Sequence, residues 1–253
     1  MACPNATRDR TVIGDAFGLA VTQAWRAGGA PGLAHEIIER DDGLLTINDV
    51  SKYFEPFSKW GVLEQRSCDR ASGRVLDVGC GPGRHALQLH QQGLEVLGVE
   101  PSPGVAAVAR ERGVDVLGLS ADDVSPSLGM FDTVLLGGQN IGLLESREKG
   151  PDVLNRLAEV TRPGGALLGV GIDPYLFSNP AHLAYLEENR ALGRMAGQQR
   201  FRIRHGLITS PWNDFLFASV SELEELAAGT PWQLVDTLTE GLQYLAHFVK
   251  QGV

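Results

Sequence analysis

One short stretch restricts this chain more than any other. Val75-Leu76-Asp77-Val78-Gly79-Cys80-Gly81-Pro82-Gly83-Arg84-His85 is an apolar strand that runs through a glycine turn into a helix. Gly79, Gly81 and Gly83 admit backbone conformations that a side chain forbids, and the turn delivers free amides at a helix start, where negative groups are favoured. The same alternation continues on either side. Short apolar runs at 74–78, 95–100, 114–119, 132–137 and 166–172 are separated mostly by helical segments at 84–92, 104–112 and 151–161. This pattern predicts a parallel sheet covered on both faces, joined by right-handed crossovers. Ser221, with Glu224 three residues on, has capping-box spacing for a further helix. Two last runs, 232–239 and 242–250, joined by Glu240-Gly241, predict a closing hairpin.

The flanking parts are less regular. Residues 1–72 read as an amino-terminal helical cover broken at Gly28-Gly29, Pro31-Gly32 and Asp41-Asp42-Gly43, with a further helix over 47–63. That helix carries Tyr53, Phe54, Phe57 and Trp60, of which Tyr53 is the candidate ligand contact. The core, 73–253, is interrupted by an insertion at 173–216, with a helix over 180–194 and an extended stretch over 199–209. Phe201, Ile203 and Leu207 alternate there with Arg200, Arg202 and Arg204. An insertion after the fifth strand lies at the carboxyl edge of the sheet, the natural place for a substrate cap.

Lys plus Arg total 22 against 31 Asp plus Glu, a net charge of -9. That sign disfavours phosphate neutralisation, so the expectation is a small-molecule partner and no nucleic acid. The longest apolar stretch, 165–172, is far short of the roughly 20 residues that span a bilayer. Met1 to Arg10 lacks a secretory pattern, so the expected place is the cytoplasm and no membrane partner is expected. Cys3, Cys68 and Cys80 have neither zinc-site nor CxxC spacing, so no disulfide framework or metal site is expected.

Two cofactor classes compete for the glycine turn. Dinucleotides want G-x-G-x-x-G, but Arg84 stands where the third such glycine belongs. Asp77, two residues before Gly79, would repel a pyrophosphate yet can meet the ammonium group of a methionine moiety. Glu100, closing the next strand, is placed to accept both hydroxyls of an adenosine ribose. Leu76-Asp77-Val78-Gly79-Cys80-Gly81-Pro82-Gly83 resembles the first motif of the class I S-adenosylmethionine-dependent methyltransferases. Gly98-Val99-Glu100-Pro101-Ser102 resembles their second motif, Phe131-Asp132-Thr133-Val134-Leu135-Leu136 their fourth strand, and Arg162-Pro163-Gly164-Gly165 the turn before their fifth.

The resemblance covers roughly residues 74–172, and the final strand pair resembles the family's closing hairpin. It implies an α/β, Rossmann-like fold: a seven-stranded, mostly parallel sheet with an antiparallel carboxyl-terminal strand and helices on both faces. It also implies S-adenosylmethionine as cofactor, leaving as S-adenosylhomocysteine. Gly79, Gly81 and Gly83 would then shape the methionine and ribose turn, Asp77 would face the amino-acid part, and Glu100, with Pro101 beside it, the ribose. Asp122, beside Ala121, would meet the adenine amine, with Ser120 and Asp123 as alternatives, and Gly137 would present backbone near the sulfonium.

Gly137-Gly138-Gln139-Asn140-Ile141-Gly142 lacks the Asp/Asn-Pro-Pro-aromatic motif of the family's nucleic-acid amino methyltransferases. The expected activity is therefore methyl transfer to an oxygen or nitrogen of a small organic acceptor, such as a secondary metabolite. His205 is the candidate general base and Gln139 the candidate orienting amide. The alternatives are an S-adenosylmethionine-binding protein without transfer (a scaffold, a regulator or a cofactor-assisted rearrangement) and a protein methyltransferase.

Overall fold

The computed structural model describes residues 11–252. Cys3 and the charged run read as lacking a secretory signal lie outside them. The larger of two sheets has seven strands: β4 (Arg74–Val78), β5 (Glu95–Val99), β6 (Val116–Leu117), β7 (Phe131–Leu136), β8 (Thr161–Ile172), β12 (Trp232–Glu240) and β13 (Gln243–Lys250). Their order is β12-β13-β8-β7-β4-β5-β6. β4 pairs in parallel with both β5 and β7, while β13 runs antiparallel to β8 and to β12. Successive residues of β4 and β7 are buried regardless of parity, as expected for strands covered on both faces.

Crossover helices α3 (Arg84–Gln91), α4 (Pro103–Glu111) and α5 (Gly150–Glu159) connect these strands, and α7 (Val220–Ala227) precedes β12. Helix α4 starts where Ser102 caps the Val105 amide and Pro103 occupies the first turn. Helix α7 is capped by Ser219 and Glu222, one overlapping S-x-x-E match earlier than Ser221 and Glu224. One face of the sheet packs Leu76, Phe131, Leu136 and Tyr244 against Leu154, Leu157 and Leu226. The other packs Val75, Leu135, Leu168 and Leu245 against Trp60 and Leu63 of the amino-terminal segment. Leu63 belongs to α2 (Val62–Arg70).

The amino-terminal third is helical only in part. After α1 (Ala16–Arg26) comes an antiparallel hairpin, β2 (His35–Arg40) and β3 (Leu45–Asp49), and the helix expected over 47–63 is two short 3-10 turns leading into α2. The hairpin joins strands of the insertion. β9 (Gln198–His205) pairs with β2 on one side, and with β11 (Asn213–Leu216) and β10 (Ile208–Thr209) on the other, while β1 (Val12–Ile13) pairs with β10. The result is a second, six-stranded sheet built from two distant parts of the chain, with α6 (Pro180–Ala191) beside it. Helices α1 and α4 lie so close that a Cβ on Gly104 would be 2.8 Å from the Gly18 Cα. Among the described residues no helix is long and apolar enough to cross a membrane.

Candidate functional site

The central strand β4 has a parallel neighbour on each side whose crossover leaves in the opposite direction. Its carboxyl end is therefore the switch point at which open α/β sheets bind ligands. The turn that follows takes left-handed conformations at Gly79 (φ 69°), Gly81 (57°) and Gly83 (86°). The Asn140 amide clamps it, donating to the carbonyls of Val78 (2.8 Å) and Gly79 (2.9 Å), so a Cβ on Gly79 would meet Asn140 Nδ2 at 2.7 Å. Gly83 closes against Val114 and starts α3. Nothing lies within 4 Å of where a Cβ on Gly81 would stand, which is the open side of the turn.

Two buried acids flank the turn in sequence, Glu100 bonded to it and Asp77 at the end of β4. Glu100, 6% exposed, accepts from the amides of Gly81 (3.1 Å) and Ser102 (2.9 Å). Burial pushes its carboxyl up to about 7 despite both bonds, with Asp15 and Asp77 adding repulsion. Asp77 is 1% exposed, and neither of its oxygens makes a well-formed hydrogen bond, although the Ala86 amide is near enough to favour its ionised form. Burial pushes it up to about 6, against the opposing charge of His85. A buried carboxylate so poorly satisfied is costly, and a cationic group beside it would relieve that cost.

Between the sheets lies a cavity of about 800 Å3. Gly79, Glu100, Pro101, Ser120, Ala121 and Asp122 wall its core side, and Phe17, Phe201, Ile203, Trp212 and Phe215 wall it from α1 and the second sheet. Asp123 is engaged in a capping box with Ser120, whereas Asp122 pairs with Lys149 at 2.7 Å and faces the cavity. Asp77, Gly81 and Gly83 are not on its wall; Gly79 and Glu100 bring the glycine turn to its edge, and the volume suits a nucleoside carrying an amino-acid tail.

A family model described as a methyltransferase domain matches residues 75–165. The chain is 37% identical over 102 residues to the tRNA U34 carboxymethyltransferase of Hahella chejuensis, covering 37% of this chain and 30% of that protein. Among solved structures, a SAM-dependent methyltransferase from Bacteroides fragilis in complex with S-adenosyl-L-homocysteine matches with a TM-score of 0.78 and 24% identity, over 94% of this chain and 95% of that one. The CcbJ methyltransferase of Streptomyces caelestis shares the fold at a TM-score of 0.56 and 14% identity, over 78% of this chain and 95% of that one. Residues 75–165 thus match a methyltransferase domain, and the chain as a whole has the fold of the class I S-adenosylmethionine-dependent methyltransferases.

The chain spans about a third of the length of the first tRNA-modifying relatives it matches, 30% to 35% of each. Those relatives overturn the expectation of no nucleic-acid partner: net charge is a property of the whole surface and does not govern one local docking face. Among the described residues, no three His, Cys, Asp or Glu side chains gather as they would around a metal ion.

Several expected contacts lie elsewhere. His205 shares the face of Phe201 and Ile203, but one pair further along β9 it has passed the cavity and meets Gln23 of α1 at 3.0 Å. The Tyr53 hydroxyl donates to both oxygens of Glu36 at 3.2 Å, and its ring packs edge-on against Phe17. Gln139 takes a left-handed φ of 75° beside the turn and is not part of the cavity wall, nor is Gly137. Arg202 and Arg204 bond to Glu39 on the opposite face of the second sheet.

Sequence reasoning missed Asp15, Asn140 and Glu145. Asp15 accepts from Ser102 Oγ (2.7 Å) and the Gly104 amide (2.8 Å), fixing α1 against the loop that carries Glu100. Glu145 lines the cavity at φ 60°, and burial together with Asp122 and Asp214 raises its carboxyl above the ordinary value, against the pull of Lys149. No motif marks Glu145; its unfavourable backbone is visible only in three dimensions.

Proposed function

We propose that this protein transfers a methyl group from S-adenosylmethionine to an oxygen or nitrogen of a small, largely apolar organic acceptor held between the glycine turn and the second sheet. The observation that supports this is the cavity: its volume admits a cofactor and a ring-sized acceptor, and its roof carries four aromatic rings and two isoleucines beside the polar Ser210, Asn213 and Asp214. The cofactor supplies a methyl group already activated on a sulfonium. The chain supplies position. Asp77 would hold the ammonium, Glu100 the ribose hydroxyls, and Ser120, Ala121 and Asp122 the adenine edge, while Gly79, Gly81 and Gly83 let the backbone approach. Phe17, Phe201 and Phe215 exclude water and press the acceptor toward the core, where alignment accounts for much of the acceleration. Glu145 is better placed than His205 to take a proton from a hydroxyl acceptor.

A second reading places a tRNA nucleoside in the same chamber. It is favoured by the names of the relatives, whose similarity is confined to less than half of this chain. Release of S-adenosylhomocysteine from purified protein separates the possibilities when small alcohols, phenols and amines are assayed beside bulk tRNA. Turnover with a small acceptor supports the first reading, and turnover with tRNA alone the second. Cofactor binding without release under any acceptor would favour a protein that binds without transferring.

A further inference from the structure

Behind the glycine turn, outside the cavity, is a buried group of charges that the site as described leaves without a task. His85, in the first turn of α3, is 5% exposed, and its Nε2 bonds to the Glu64 carboxylate on α2. The other Glu64 oxygen accepts from the Gly138 amide at 3.0 Å, and Arg84 stands 3.4 Å away. The edge of the imidazole meets Trp60 at 5.0 Å between centroids, and the Arg84 guanidinium lies over the same indole at 4.6 Å. Burial works to raise Glu64, but His85, Arg84 and the Gly138 amide outweigh it and hold the acid below its ordinary range.

The imidazole also explains a glycine. A Cβ on Gly137 would lie 2.8 Å from His85 Cε1 and 3.0 Å from both ring nitrogens, and Gly137 is not at positive φ. The ring, and not the backbone, requires glycine where β7 ends. Asp77 feels the same ring: among the charges acting on it, His85 is the strongest that favours its ionised form. The other groups facing Asp77 are Glu64 and Cys68 from α2, Arg84 from α3, and Cys80 and Glu100 from the turn and β5 end.

We infer that His85 is a positioning residue for the amino-acid end of the cofactor: anchored by Glu64 and seated against Gly137, it ties the exit of β7 to the glycine turn that follows Asp77. Neither Glu64 nor Gly138 needs to touch the cofactor for this. The inference rests on S-adenosylmethionine binding and concerns only how this chain prepares for it.

The test is calorimetric binding of S-adenosylhomocysteine to the full chain between pH 5.5 and 8.5, for the wild type and His85→Asn. Only ionised Asp77 meets an ammonium, so wild-type affinity should fall as pH drops through about 6. Without the imidazole Asp77 holds its proton to higher pH. If its midpoint rises by about one unit, the affinity ratio of wild type to variant should be about fivefold larger at pH 6 than at pH 8. A residue that only fills space would weaken binding equally at every pH, and a constant ratio overturns the inference. Should His85→Asn fail to fold, Glu64→Gln keeps the ring and removes its anchor: at pH 8, where Asp77 is ionised in either protein, a loss of fivefold or more is expected, and wild-type affinity there overturns the proposal. Failure of the wild type to bind at any pH would instead defeat the assignment of the cofactor subsite.

Discussion

Replacing Glu100 with Gln should remove most of the pH dependence that this residue gives to the ligand-free fold. The Glu100 carboxyl is pushed up to about 7 from 4.5, chiefly by burial. The folded chain therefore keeps a proton that the unfolded chain releases. That stabilisation is fully present below about pH 4.5 and is lost as pH rises through about 7. A difference of roughly 2.5 units at about 1.4 kcal/mol each is a swing of about 3.5 kcal/mol. Gln cannot accept from both the Gly81 and Ser102 amides if its NH2 faces one of them, which costs about 1–3 kcal/mol. The variant should thus be the less stable protein at pH 5, with the gap closed or reversed at pH 8. Urea unfolding of both proteins at pH 5, 6, 7 and 8 measures this directly. Asp77 titrates in both, so its contribution largely cancels in the comparison. Loss of stability in parallel by the two proteins would show that Glu100 is not the buried acid described here. With ligand the order changes, since ribose hydroxyls donate best to the ionised form: the variant should bind S-adenosylhomocysteine about 2 kcal/mol more weakly.

Asp77→Asn should cost S-adenosylhomocysteine about 30-fold in affinity by calorimetry, while the ligand-free melting temperature holds or rises because an unpartnered buried charge is gone; intact affinity would remove Asp77 from the site. With a hydroxyl acceptor, Glu145→Gln should lower turnover by roughly 100-fold and His205→Ala by less than about twofold; the opposite order would restore His205 as the base. Deleting residues 198–216 should reduce solubility and weaken cofactor binding, because β2 loses its partner strand and the cavity its roof. A soluble deletion protein with wild-type affinity would show that the insertion is dispensable to the site.

The core was legible because its signals are local. The glycine turn, the acid closing the next strand and the apolar runs between 74 and 172 each constrain backbone or burial where they stand. The second sheet was not, because the buried positions of β2 include Glu36 and Arg40, which read as a polar surface. Both charges are tolerated through tertiary partners: Glu36 takes bonds from Asn48, Lys52 and Tyr53, and Arg40 bonds to Asp42, His182 and the Ala181 carbonyl. Tyr53 was expected to touch the ligand, but its hydroxyl is engaged by Glu36, a partner that no spacing rule reveals. The parity of β9 was readable; how far the strand carries His205 past the cavity was not. Asp15 reads from sequence only as a helix cap, and its bonds to Ser102 and Gly104 join residues 87 and 89 positions apart.

The second sheet also dictates an order of assembly. Glu39 on β2 and Arg202 on β9 are 163 residues apart in sequence, yet they face each other in register. Loop closure over such a distance is entropically unfavourable until the intervening chain is compact. The glycine turn and its flanking strands complete their pairing with far shorter separations, so the nucleoside half of the pocket can exist while the hairpin still waits for its partner strand. A chain emerging from the ribosome presents β2 and β3 long before β9 has been made. In that interval the charged residues of β2 keep an unpaired edge from acting as a template for other chains, a protection that an apolar strand at the same place would forfeit.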